Sequence, residues 1–252
     1  MYTAFARVYD SLMQSVDYAA WAGHYRALMR LCGVPDGGRC VECACGTGGL
    51  TVPLAKMGYR MTGTDLSADM LEEAMKKARS QGVDIPFVRM DMCRLQVPRR
   101  ADCVLATCDG VNYLTSPDRA RAFFAAAFAA LRPGGALIFD VSTPEKLQNT
   151  LGNNTLTSDE EGSAYIWRNR WKEKAACLEM QLTLFIRRAD GAYDRIKESQ
   201  LQRAHSRREL RAWLREAGFA DVRFFGRRRM TPPRAGDDRW HVLALKPREN
   251  AR

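Results

Sequence analysis

The sequence predicts an α/β fold: an open, doubly wound sheet that carries an antiparallel β appendage. Three observations predict it. Between residues 39 and 142, short strand-like runs alternate with stretches of helical periodicity. A glycine-rich turn, Glu42-Cys43-Ala44-Cys45-Gly46-Thr47-Gly48-Gly49, joins the first such run to the first helix that follows. From about Ser163 to His205 the alternation gives way to three long strand-like runs. Strands separated by helices imply parallel crossover units, and long strands joined by tight turns imply antiparallel pairing.

The elements follow in order. Residues 1–32 read as helical, with apolar positions around Leu12, Trp21, Tyr25, Leu28 and Leu31, and Gly33-Val34-Pro35 ends that stretch. Residues 39–45 read as a buried strand, 49–57 as a helix closed by Gly58, and 59–65 as a second strand. Ser67 is placed to cap a helix that runs to about Gln81 and closes at Gly82. Strands at 87–90 and 101–107 come next, then a helix opened by Ser116-Pro117 and stopped by Pro133-Gly134-Gly135, then a fifth strand at 136–142. The three long runs are 165–173, 177–188 and 193–202, the last two joined by the hairpin pair Asp190-Gly191. Ser206 with Glu209 three residues on forms a capping box for a helix ending at Gly218. Strands at 222–225 and 241–245 close the pattern. The division expected is one domain from residues 1–142 and 206–252 with an N-terminal helical cap, and an appendage at 143–205 that serves as a lid or an oligomer surface.

With 252 residues, 46% of them hydrophobic, the chain is long enough for one large core. The longest apolar run, residues 122–131, is mostly alanine and far short of a membrane span. The N-terminus carries Asp10 and Asp17 and no uninterrupted apolar segment, so a cytoplasmic protein is expected. The eight cysteines do not form the framework of a small secreted domain. Cys40-x-x-Cys43 has zinc-ligand spacing, but side chains alternate along a strand and would send the two thiols to opposite faces. No metal is expected. The net charge of +10 suits an anionic partner, with one dense run at Arg227-Arg228-Arg229.

The glycine turn suits a ligand lying against the main chain. A dinucleotide fingerprint would want a small residue where Thr51 stands, and a phosphate-binding loop would want Gly-Lys-Ser/Thr, which is absent. Glu42, four residues before Gly46, suits a cofactor with an amino-acid tail better than a pyrophosphate. Asp65 ends the second strand, where an acid can accept from both hydroxyls of a ribose. Asp91 ends the third, where an adenine amino group can be read with Met92 packed on the ring. Three acids at successive strand ends mark where ligands sit in open α/β sheets.

On these residues the sequence resembles the class I S-adenosylmethionine-dependent methyltransferases over nearly its whole length. The motifs that carry the resemblance are E-x-A-C-G-T-G, the acid of G-T-D-L-S, the acid of M-D-M and the L-R-P-G-G turn before the fifth strand. Tyr2-x-x-Phe5-Ala6-x-x-Tyr9-Asp10-x-Leu12-Met13 and Asn112-Tyr113-Leu114 are similar to a small-molecule subgroup, as is the strand insertion. The resemblance implies a Rossmann-like seven-stranded sheet of order 3-2-1-4-5-7-6 with an antiparallel last strand. It further implies that Glu42, Ala44, Cys45, Gly46 and Gly48 surround the methionine part of S-adenosylmethionine and Asp65 its ribose. Leu66, Met70, Asp91, Met92 and Cys93 then line the adenosine, and Cys108 the end of the fourth strand.

For the chemistry, Asp109 is a candidate general base or a holder of a substrate amine. Tyr9 is a candidate to close over the methionine end and donate a hydrogen bond, and Tyr113 stands in the polar cluster after the fourth strand. His205 is a candidate base near neutral pH. Tyr18 and Trp21 read as core, and Arg168 and Arg170 as solvent-facing or as contacts for an acidic substrate. The leading expectation is methyl transfer to a small-molecule nucleophile at N, O or C. RNA is the second acceptor class, and a non-catalytic binding protein the reading of a different kind. A dehydrogenase is more remote. Homodimerisation through the appendage is a further expectation, and no membrane partner is expected.

Overall fold

The computed structural model describes Ala6, Tyr9, Asp10, Met13 and residues 16–248. Tyr2, Phe5 and Leu12 of the N-terminal motif lie outside the described residues. The N-terminal stretch is not one helix. Ala6, Tyr9 and Asp10 are helical, Val16 and Asp17 are not, and α1 (Tyr18–Leu31) starts afresh where the Asp17 carboxylate caps it through the Ala20 amide.

The alternation follows as β1 (Arg39–Cys43), α2 (Thr51–Lys56), β2 (Arg60–Asp65), α3 (Ala68–Ser80), β3 (Phe87–Arg89), β4 (Ala101–Ala106), α4 (Pro117–Ala130) and β5 (Leu131–Ser142). Ser67 caps α3 through the Met70 amide, and Ser116 caps α4 through Arg119. The strand expected at 136–142 reaches back to Leu131, because a register shift between Ala101 and Cys103 on β4 absorbs the Pro-Gly-Gly turn.

After β5 come β6 (Thr155–Glu160), β7 (Ser163–Lys172), β8 (Cys177–Arg187) and β9 (Tyr193–Arg203), an antiparallel sheet in that order. Sequence reading found three of these four. Thr155-Leu156-Thr157-Ser158-Asp159-Glu160 has one apolar residue, as an edge strand with a single neighbour permits. The chain returns through α5 (Arg207–Glu216), whose capping box is complete, to β10 (Asp221–Phe225) and β11 (Arg239–Leu245).

The main sheet runs β10-β11-β5-β4-β1-β2-β3, and β11 is antiparallel to β5. In strand-by-strand terms this is the expected order. Its two faces bury two separate cores. Phe123, Phe124, Phe139, Leu210 and Trp213 gather between the sheet and α4 and α5. Tyr25, Leu28, Met29, Leu54 and Ile138 gather on the opposite face with α1 and α2. Cys43 belongs to the first core and Cys40 to the second, so strand alternation does separate these thiols.

Candidate active site

The carboxyl ends of β1, β2 and β4 and the residues after β3 surround a cavity of about 260 Å³. Its floor is the glycine turn. Gly46 sits at φ +53°, and a Cβ there would meet no atom within 4 Å, so the main chain borders open space. At Gly49 a Cβ would fall 2.6 Å from the Tyr18 ring, and only glycine lets that ring close the end of the cavity.

Glu42 is fully buried. Its carboxylate accepts from the Thr107 hydroxyl at 2.5 Å and from the Thr51 hydroxyl. Burial pushes its carboxyl up to about 7, against the pull of the two hydroxyls. Asp65 accepts from the Gly46 amide at 2.9 Å and from the Ser67 amide at 2.9 Å, which aims it across the turn, and burial raises it as well. Burial would raise Asp91 too, but the Cys93 amide and the Arg119 guanidinium hold it below the usual carboxylate range.

The donor set suits the cofactor that the resemblance implies. Carboxylates stand at the positions for an ammonium and for ribose hydroxyls, and Leu66, Met70, Met90 and Met92 line the wall between Asp65 and Asp91. Of the expected cofactor residues, Tyr9, Glu42, Ala44, Cys45, Gly46, Asp65, Leu66, Met70, Asp91, Met92 and Cys108 line this cavity. Gly48 lies outside its lining, against Ala74 and Phe87, where it shapes the turn. Cys93 also lies outside it; its amide steadies Asp91.

A second cavity of about 290 Å³ opens beside the first, beneath the four-stranded sheet. Tyr9, Cys108, Tyr113 and Gln200 line both. The rest of its wall comes from Trp21 of α1, Lys146 after β5, Tyr165 and Trp167 of β7, Met180, Leu182 and Leu184 of β8, Gln202 of β9 and Arg239 of β11. Tyr18 and Trp21, read as core, are cavity walls instead.

The turn between the cavities is held by a carboxylate that sequence reading missed. Cys108 and Asp109 follow β4 with φ of +52° and +67°, a region that residues with side chains seldom occupy. Asp140, fully buried in β5, accepts from both their amides at 2.8 and 3.1 Å. It also accepts from the Tyr25 hydroxyl at 2.5 Å and from Arg239. Arg239 forks onto Asp109 at 2.7 and 2.8 Å. One signal could have exposed Asp140: an acid inside the run Leu137-Ile138-Phe139-Asp140-Val141 of a central strand cannot stay there unpartnered.

This pairing corrects one use of Asp109. Burial opposes its charge, but Arg239 and Lys146 win and hold it below the usual range, so it is a weak proton acceptor. The second correction is His205. It is fully buried, lines neither cavity, and has one ring nitrogen against Arg203 at 2.8 Å and the other against the Val111 carbonyl at 3.1 Å. Burial pushes it down to about 4. It pins the start of α5 to the loop after β4 and cannot reach a substrate proton. Tyr113 donates to Gln200 at 2.8 Å. Tyr9 stays a protonated phenol, since burial and the neighbouring Tyr18, Cys108 and Asp109 raise it. Arg168 and Arg170 are exposed and line neither cavity.

Comparison with known proteins agrees with this geometry. A family described as a methyltransferase domain matches residues 40–135. A relative from Geobacillus sp. (strain WCH70), named a putative methyltransferase, is 36% identical over 218 residues, 86% of this chain and 88% of its own. YqeM of Bacillus subtilis (strain 168), named likewise, is 31% identical over 247 residues, 98% and 97% of the two chains. The crystal structure of an S-adenosylmethionine-dependent methyltransferase from Clostridium acetobutylicum ATCC 824 superposes with a TM-score of 0.86 at 27% identity, covering 98% of this chain and 99% of that one. The chain therefore belongs to the S-adenosylmethionine-dependent methyltransferases, and S-adenosylmethionine is its cofactor.

Proposed function

We propose that the protein methylates a small molecule held in the second cavity. The observation that carries this reading is the shared wall: Tyr9, Cys108, Tyr113 and Gln200 stand where one cavity opens into the other. S-adenosylmethionine, when bound, supplies an electrophilic methyl group on a sulfonium. The chain's part is to align the nucleophile and exclude water.

Glu42 is proposed to face the cofactor's ammonium through the glycine turn, Asp65 its ribose, and Asp91 with Met92 its adenine. Tyr9 closes the junction as a hydrogen-bond donor. Asp109, ionised and fixed by Arg239, orients a donor group of the acceptor. Because Asp109 is a weak base and His205 is out of reach, the acceptor is one that attacks without strong base assistance, such as an amine that has lost its proton to water. Tyr165, Trp167, Met180, Leu182 and Leu184 suit an acceptor with an apolar body.

The test is transfer of labelled methyl from S-adenosylmethionine into a cell extract split into metabolite and RNA pools. Label in the metabolite pool supports the proposal. Label only in RNA, or in neither pool, contradicts it.

A further inference from the structure

The basic charge is concentrated at the end of the chain. Residues 206–252 hold thirteen Lys and Arg against six Asp and Glu, a net +7 of the whole chain's +10. The structure shows which of these cations remain unpaired. Glu209 is taken by Arg203, Glu216 by Arg121, Asp221 by Arg223, Asp237 by Arg229 and Asp238 by Arg227. Arg207, Arg208, Arg211 and Arg215 of α5 are all exposed and make no ion pair among the described residues.

Helix stability does not account for this arrangement. Arg207 and Arg208 stand in the first turn, where the helix dipole disfavours positive charge. Arg207, Arg211 and Arg215 follow one another at four-residue spacing, where like charges repel. Two of the four are held over aromatic rings: Arg207 5.4 Å from the Trp240 ring centroid and Arg211 5.2 Å from that of Phe224. The apolar residues of the helix, Leu210, Trp213 and Leu214, are buried in the core, so no apolar face is left to enter a lipid surface.

We infer that the arginine face of α5 binds single-stranded RNA. Arg208 and Arg215 meet backbone phosphates, and the guanidinium planes fixed over Trp240 and Phe224 receive unstacked bases, which a duplex or a bilayer does not offer. The inference rests on this face alone and is independent of the small-molecule acceptor proposed for the cavity.

The test uses the full chain and a fluorescein-labelled 20-nucleotide RNA of mixed sequence, read by anisotropy between 50 and 300 mM KCl without any methyl transfer. The variant R207Q/R208Q/R211Q/R215Q is expected to bind at least tenfold more weakly, and the slope of log affinity against log salt falls by about 3. The control R79Q/R94Q/R99Q/R100Q removes equal charge from exposed positions elsewhere and stays within threefold of the original chain. If the α5 variant melts early, R208E/R215E, which leaves both aromatic contacts intact, is expected to show the same selective loss. The inference is overturned if the original chain does not bind the RNA at 100 mM KCl, or if the α5 and control variants weaken equally. It is also overturned if the α5 variant keeps its RNA affinity and loses only binding to vesicles of phosphatidylglycerol and phosphatidylcholine.

Discussion

The cavity at the ends of β1 and β2 is walled by main chain and by side chains within a few residues of a strand end. The cavity beneath β7, β8 and β9 is walled by side chains from α1, the loop after β5, three strands of the second sheet and β11. The first is local, and each wall residue is placed by its own strand. The second exists only when distant segments meet: Asp109 and Arg239 are 130 residues apart, and Tyr25 and Asp140 115. Cofactor recognition is thus carried by the sheet itself, while acceptor recognition is carried by what is packed onto it. Variants should therefore separate the two functions.

The largest effect is expected at Asp65. Asp65→Ala removes the acceptor for the ribose hydroxyls, each such bond to a charged group contributing about 1.5–3 kcal/mol. Cofactor affinity should fall about a hundredfold or more by calorimetry, with the circular dichroism spectrum unchanged. Unaltered affinity would remove Asp65 from the cofactor site. Asp109→Asn comes next and probes the other cavity. Turnover should fall by about ten- to a hundredfold, as for a residue that orients a reacting group, while the cofactor Kd moves less than threefold. An equal loss in both would merge the two cavities into one binding unit.

A pH experiment sharpens the contrast. Glu42 titrates at about 7 because it is buried, and its ionised form is the one that attracts an ammonium. The ionised fraction rises with pH, so cofactor affinity should increase about tenfold between pH 6 and pH 8 and level off above. Glu42→Gln should bind weakly and without that dependence. A flat profile in the original chain would mean that Glu42 does not face the cofactor's charge. The smallest effect is expected at Tyr25→Phe, which removes one of four donors to Asp140. Stability should drop by about 1–3 kcal/mol in urea unfolding, the range for a hydrogen bond to a charged group, with cofactor affinity kept. No change in stability would show that the Tyr25 hydroxyl does not help hold the turn.

The same contrast explains what was legible in the chain. Glu42, Asp65 and Asp91 could be found because a strand end is visible as an apolar run followed by a turn, and the acid stands at that boundary. Thr51 and Thr107 were missed because a threonine hydroxyl carries no pattern until Glu42 is known to be buried between them. Gln200, Lys146 and Arg239 were missed because nothing in their neighbourhoods says what they will face. His205 failed as a base for a related reason: its burial comes from the packing of α5 against the loop after β4, which spacing cannot reveal. Among the strands, β6 was overlooked because an edge strand needs little apolar pattern, whereas β8, central in its sheet, announced itself through Leu178, Met180, Leu182 and Leu184.

The central claim is that the methyl group crosses at the junction of the two cavities. A crystal structure with the demethylated cofactor tests it most directly. The account predicts the cofactor's sulfur at the opening lined by Tyr9, Cys108, Tyr113 and Gln200, facing the space in front of Asp109. A sulfur turned away from that opening, with no path into the cavity beneath the second sheet, would contradict it.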